Sequence, residues 1–218
     1  NTPWNATRTK FAVAGRGEYK LSGDWSTFDD FTSFRGEEGG MMIGLAGVYE
    51  IGNQNSGNPV GANDNDAVYG FTADFSWEMG GANLFAAFAW LGNNIDNSNN
   101  PWGLNVQGGY FVTEEIEIFG RYEYVDYGLD QTVTVNPGGV SFAAADLPKF
   151  NGITLGANYF FAPNVKATVE WGYNFKSLTN LTPDLNNAGF RPDVAEINNP
   201  NQGNEGQWAL RAQLQLLF

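Results

Sequence analysis

The chain has 218 residues with 28 Gly, 17 Phe, 9 Tyr and 7 Trp, carries a formal net charge of −13, and contains neither cysteine nor histidine. Those two absences exclude disulfides, thiolate and His-based metal centres, the Ser-His-Asp triad and the Cys-His dyad. The acidic balance excludes the basic surface that nucleic-acid binding requires. No apolar run approaches the roughly 20 residues of a transmembrane helix. Mean hydropathy is −0.33, but strands that alternate lipid-facing and water-facing residues dilute every hydropathy window and escape such a scan.

Residues 1–9 read as loop. Residues 10–21 alternate with a period of two, which predicts a strand. Phe11, Val13, Gly15, Gly17, Tyr19 and Leu21 take one face; Lys10, Ala12, Ala14, Arg16, Glu18 and Lys20 take the other. Residues 22–40 form a mixed connection with Asp24, Asp29, Asp30, Glu37 and Glu38. Residues 41–51 predict a second strand, with Met41, Ile43, Leu45, Gly47, Tyr49 and Ile51 outward. A polar loop follows over 52–66. Residues 67–79 set Tyr69, Phe71, Ala73, Phe75 and Trp77 against Gly70, Thr72, Asp74, Ser76 and Glu78. Gly80-Gly81 predicts a two-residue hairpin turn. Residues 82–91 return with Leu84, Ala86, Phe88 and Trp90 outward, although Phe85, Ala87, Ala89 and Leu91 opposite are also apolar.

An Asn-rich loop over 92–101 leads to a strand over 102–112, with Trp102, Leu104, Val106, Gly108 and Tyr110 opposite Asn105 and Gln107. After the turn at 113–115, residues 116–126 place Ile116, Ile118, Gly120, Tyr122 and Tyr124 opposite Glu117, Phe119, Arg121 and Glu123. A long loop runs over 127–148. Residues 149–161 carry Ile153, Leu155, Ala157 and Tyr159 opposite Thr154, Gly156 and Asn158. The turn Ala162-Pro163-Asn164 precedes residues 165–175, where Val165, Ala167, Val169, Trp171 and Tyr173 oppose Lys166, Thr168, Glu170 and Asn174. The longest loop spans 176–206. Residues 207–218 form the last strand, with Trp208, Leu210, Ala212, Leu214, Leu216 and Phe218 outward and Gln207, Ala209, Arg211, Gln213 and Gln215 opposite.

This pattern predicts nine strands of about 10–13 residues, where a tilted membrane strand needs about 9–11 and soluble strands run nearer 5–6. Connection lengths alternate. Short turns on one rim and long loops on the other are the signature of an outer-membrane barrel. Aromatics near the strand ends (Trp77, Trp90, Trp102, Tyr124, Tyr159, Trp171 and Trp208) suit interfacial girdles. The connection at 22–40 is too long for the short-turn rim on which it falls. Single-chain barrels have even strand numbers, so nine strands predict the C-terminal portion of a larger barrel.

Several stretches carry a likeness to a known family. Residues 10–19 followed by Gly23-Asp24-Trp25 and Phe28-Asp29-Asp30-Phe31, then Phe119-Gly120-Arg121-Tyr122-Glu123-Tyr124, and the ending from Gln213 to Phe218 resemble the phosphate-selective porin O/P family. The resemblance implies an all-β, antiparallel, up-and-down transmembrane barrel of about 16 strands, of which this chain supplies the last nine. It also implies a homotrimer in the outer membrane, bounded by lipid, with its long loops extracellular. The alternating end, with Trp208, Leu214, Leu216 and the terminal Phe218, resembles the C-terminal signal that the barrel assembly machinery reads on outer-membrane proteins. The family's arginine-rich pore is not matched here. The predicted lumen-facing positives are Lys10, Arg16, Lys20, Arg121, Lys166 and Arg211; the negatives are Glu18, Glu50, Asp74, Glu78, Glu117, Glu123 and Glu170. Phosphate specificity therefore does not carry over, and the family's inward constriction loop is expected in the missing portion.

These charged residues are the candidate site, either as a transverse field that steers ions or as a cross-strand lattice that stiffens the wall. Asn63-Asp64-Asn65-Asp66 resembles part of a calcium loop but lacks its Gly and its bidentate Glu, so it reads as solvated loop and no metal site is expected. The sequons at Asn5 and Asn180 are discounted in a bacterial protein. Glu117 and Glu123 lie about 20 Å apart along one strand, too far for an acid-base pair. The expected function is passive diffusion of small polar solutes or ions, anions such as phosphate included, through a water-filled lumen, with no enzymatic chemistry and no cofactor. The rivals are a non-conducting structural or adhesive barrel and a soluble β-sandwich that binds carbohydrate.

Overall fold

A computed structural model describes residues 9–52, 67–94, 100–126, 128, 133–135, 140–142, 149–175 and 206–217. The predicted strands form within one or two residues of their expected bounds: β1 (Thr9–Ser22), β2 (Gly40–Gly52), β3 (Ala67–Glu78), β4 (Ala82–Asn93), β5 (Trp102–Phe111) and β6 (Ile116–Asp126). Two short strands follow, β7 (Val133–Val135) and β8 (Val140–Phe142), then β9 (Phe150–Ala162), β10 (Val165–Asn174) and β11 (Gln207–Leu216). The long loop expected over 127–148 is thus corrected: it contains the antiparallel pair β7–β8, whose three residues each are too few for the alternation to register.

The remaining nine strands make one antiparallel meander in the order β1-β2-β3-β4-β5-β6-β9-β10-β11. Tight turns join β3 to β4, β5 to β6 and β9 to β10, which makes those three pairs antiparallel neighbours. At Gly80-Gly81, both φ angles are positive, 65° and 124°, which β-branched or bulky residues resist. Among the described residues β1 and β11 are the two edges, and the sheet does not close on itself.

The register keeps every predicted face intact. Arg16 stands opposite Ala46, Ala46 opposite Thr72 and Thr72 opposite Ala89, all on the polar side. Two irregularities in β1, between Thr9 and Phe11 and between Lys20 and Ser22, leave extra residues at its ends without shifting the strand between them. The two-sided apolar strand β4 resolves as expected. Asn83 and Leu91 join the polar side. Phe88 and Trp90 join an outward aromatic row in which ring centroids lie 5.7 Å (Phe71–Phe88), 6.0 Å (Phe88–Trp102) and 5.0 Å (Trp102–Tyr124) apart.

Burial is inverted relative to a water-soluble sheet. The outward apolar side chains are exposed, with Leu210 at 68 %, Tyr19 at 66 % and Leu45 at 61 %. The deepest side chains are mostly polar, with Glu117 at 3 %, Asn158 at 6 % and Thr154 at 4 %. The sheet curls around that polar side. Asn83 of β4 and Gln213 of β11 line one cavity, although five strand spacings separate them, roughly 24 Å on a flat sheet.

The connection between β1 and β2 turns inward rather than hanging from the rim. It begins with a 3-10 turn, Trp25–Phe28. Aromatic residues at every third position, Phe28, Phe31 and Phe34, then bring it across the polar side. Phe34 sits against Phe111 of β5 and Phe160 of β9, at centroid distances of 5.5 and 4.9 Å. Such ring pairs add about 0.5–1.5 kcal/mol each beyond their buried area. The backbone is tied down as well: Gly80 N–H donates to Ser33 Oγ at 2.7 Å and Gly81 N–H to the Ser33 carbonyl at 3.1 Å. Arg35 donates to the Phe111 carbonyl.

Candidate functional site: the polar face and its inward connection

Alternation delivers one polar side chain per two residues to the inner face, and strand pairing sets these in rows. One row runs Phe111, Glu117, Asn158, Thr168 and Gln213 across β5, β6, β9, β10 and β11. At its centre the Glu117 carboxylate accepts from Thr32 Oγ1 at 2.6 Å, Asn83 Nδ2 at 2.7 Å and Asn158 Nδ2 at 2.7 Å. Thr168 Oγ1 donates to Asn158 Oδ1 at 2.6 Å, and Gly109 N–H donates to Asn83 Oδ1 at 3.1 Å. A buried carboxylate is tolerated only with its lone pairs satisfied, and this one receives donors from two strands and the connection. Glu117 lies so close over Gly109 that any Cβ there would overlap its carboxylate.

A second cluster lies further from the connection. Arg121 Nε bridges Glu123 Oε2 at 3.0 Å, and its Nη2 lies 3.9 Å from Glu170 Oε2. Arg211 Nη1 bridges Glu170 Oε1 at 3.0 Å. A third cluster occupies β1–β3. Arg16 grips Asp74 through two bonds of 2.6 and 2.9 Å and reaches Glu18 at 2.9 Å. That bridge crosses β2 at Gly44, where a Cβ would meet both the guanidinium and the carboxylate.

The predicted site residues thus sort into groups rather than one continuous ladder. Arg16, Glu18 and Asp74 meet, as do Arg121, Glu123, Glu170 and Arg211, while Glu117 anchors the buried network. Lys166 lies over the rings of Phe31 at 4.6 Å and Phe160 at 5.9 Å. Glu78 sits at the rim beneath the connection, and its Oε2 is buried with no hydrogen-bond partner among the described residues. Lys20 stands 3.7 Å from Asp24 and over the Trp25 ring, at the mouth of the connection. Lys10 falls in the β1 irregularity at the opposite end. At that same end Lys149 bridges Asp126 at 2.6 Å, and the carboxylate raises the pKa of the lysine. Trp208, Leu214 and Leu216 all project outward and are exposed. Phe218, the sequons and Asn63 to Asp66 lie outside the described residues.

Two hollows result. A polar cavity of about 240 Å³ opens above the connection, lined by Phe31, Thr32, Asn83, Gln107, Glu117, Phe119, Arg121, Lys166, Glu170, Gln213 and Gln215 among others. A larger hollow of about 600 Å³ lies over β1–β4 against Ala14, Ala46, Val48, Gly70, Ala89 and Leu91, all of which share the face of Arg16.

The connection and its partners Thr32, Asn83 and Asn158 escape a reading based on charge. The signal that finds them is the spacing of Phe28, Phe31 and Phe34. Three large rings in a short link between strands must be covered by something, and the outward face cannot reach them.

Set against known proteins, the chain matches no family model and no curated protein. Its likeness to the porin O/P family therefore rests on the residues quoted for it, and its functional reading on the geometry of the two faces.

Proposed function

We propose that this chain forms part of the wall of an outer-membrane porin, a water-filled β-barrel that passes small polar solutes passively and is narrowed from within by the link between β1 and β2. The observation that carries the reading is the inversion of burial. A soluble sandwich hides its apolar rows between sheets, whereas here the apolar rows are exposed and polar side chains fill the curled interior. Aromatic rows near the strand ends suit the two membrane interfaces, and only a closed barrel satisfies strand edges in lipid. The described meander is compatible with such a barrel once further strands join its edges.

In this reading the short-turn rim is periplasmic, the long connections are extracellular, the bilayer covers the outward face, the barrel assembly machinery folds the chain into the membrane during biogenesis, and copies assemble as trimers. The link lies just inside the periplasmic mouth. Ion steering is weak, because Arg16, Arg121 and Arg211 each pair with a carboxylate. Single-channel recording of the full-length protein in planar bilayers is expected to give stable conductance steps, and absence of steps contradicts a conducting pore.

A second reading, a barrel that the link stops completely, is favoured by the several ties that hold it in place. Replacing residues 25–39 with a short turn separates the two. The porin reading predicts steps in both proteins, larger after replacement. A stopped barrel conducts only after replacement.

A further inference from the structure

We infer that the polar cavity beside the link is a binding subsite for a neutral polyhydroxylated solute, a single sugar ring, rather than for an ion; this rests on the porin reading above. The first support is charge. Glu117 and Glu170 face Arg121 and Lys166 in the cavity wall, two of each sign, so no net charge recommends an anion or a cation. Glu117 is filled by the donors of Thr32, Asn83 and Asn158, and Glu170 is held by Arg211 at 3.0 Å. Neither carboxylate is left to hold a cation alone. Lys166 is spread over the phenyl faces of Phe31 and Phe160.

The second support is what remains free. Gln107, Gln213 and Gln215 reach the same cavity from β5 and β11, and their amides make no side-chain hydrogen bond among the described residues. A primary amide offers donors and an acceptor together. That matches a hydroxyl, which both gives and takes, better than phosphate, which at neutral pH mainly accepts. Phe31 and Phe119 supply the apolar surface on which the C–H face of a sugar ring can lie. The cavity of about 240 Å³ holds several waters and has room for one sugar ring.

The test is current interruption in the full-length protein reconstituted in planar bilayers, with glucose and inorganic phosphate as separate probes. Glucose is expected to interrupt the open-channel current with a dependence that saturates, and phosphate is expected neither to interrupt it nor to compete. The double variant Gln213→Leu/Gln215→Leu is expected to weaken the glucose effect about tenfold, each neutral hydrogen bond contributing a few-fold. Uninterrupted current in glucose overturns the subsite and leaves the porin reading standing. Interruption by phosphate alone overturns it in favour of an anion site at Lys166. Saturation-transfer NMR of glucose with the full-length protein in a sugar-free detergent reads binding without conductance. Transfer to the wild type that the double variant loses supports the subsite even where no steps appear; no transfer overturns it.

Discussion

The two hollows lie on the same face of the same sheet, yet one is walled by a hydrogen-bonded network and the other by methyl groups. Above the link, each of the shared-row positions Glu117, Asn158 and Thr168 is hydrogen-bonded to another, and the connection adds Thr32. Over β1–β4 the equivalent inward positions include Ala14, Ala46, Val48, Ala89 and Leu91, relieved by Thr72 and by Arg16 with its partners Asp74 and Glu18. The difference shows that a period of two fixes which way a side chain points but not how much the fold depends on it. Where the link packs, polar groups are buried and must be satisfied by one another. Where nothing packs, the Arg16 side chain stays 41 % exposed and water screens its pairing.

That contrast can be broken in order of expected effect. Glu117→Ala removes the acceptor shared by Thr32, Asn83 and Asn158 and is expected to cost about 3 kcal/mol or more, because several buried donors lose their partner at once. Denaturant unfolding in lipid vesicles, followed by tryptophan fluorescence, measures it. A loss under about 1 kcal/mol means that the network is not a stabilising centre.

Gly109→Ala and Gly44→Ala sharpen the comparison, since each adds the same methyl group beneath a carboxylate. Glu117 is fixed by three donors and cannot move aside, so Gly109→Ala is expected to cost about 2 kcal/mol. Arg16, with 41 % of its side chain exposed, can swing toward water, so Gly44→Ala is expected to cost less than Gly109→Ala. Equal losses in the same unfolding assay would remove the distinction between the two regions. Arg16→Ala gives the smallest effect. Its side chain is 41 % exposed, so water screens much of its attraction to the two carboxylates. Its clearer readout is a small change in cation-to-anion permeability from reversal potentials, since Asp74 and Glu18 are left without their cation.

Much of the fold was legible because the alternation is long and unbroken. Strands of 10 to 14 residues give the pattern many chances to repeat, and glycine pairs or short polar turns punctuate them. β7 and β8, at three residues each, offer no such repetition. The candidate site was less legible. Charge on the inner face identified Arg121, Glu123, Glu170 and Arg211 as candidates, but pairing, which the sequence does not display, decides that these four meet while Lys10 does not. Asn83 and Asn158 matter because Glu117 lies between them. Thr32 matters because three phenylalanines, outside any alternating stretch, carry it across the face. The link between β1 and β2 reads in the sequence as a rim connection too long for its place, and only its packing shows that it turns inward.

The central claim is that one face of each strand meets lipid and the other meets water. The chain has no native cysteine, so single cysteines can be placed along β11 at Leu210, Arg211, Gln213, Leu214, Gln215 and Leu216, and the full-length protein reconstituted in liposomes. Labelling by a membrane-impermeant maleimide, against quenching of an attached fluorophore by brominated lipid, reads each position. The account predicts aqueous labelling at 211, 213 and 215 and lipid quenching at 210, 214 and 216, in strict alternation. Aqueous labelling at all six positions, or quenching at the inward set, would contradict it.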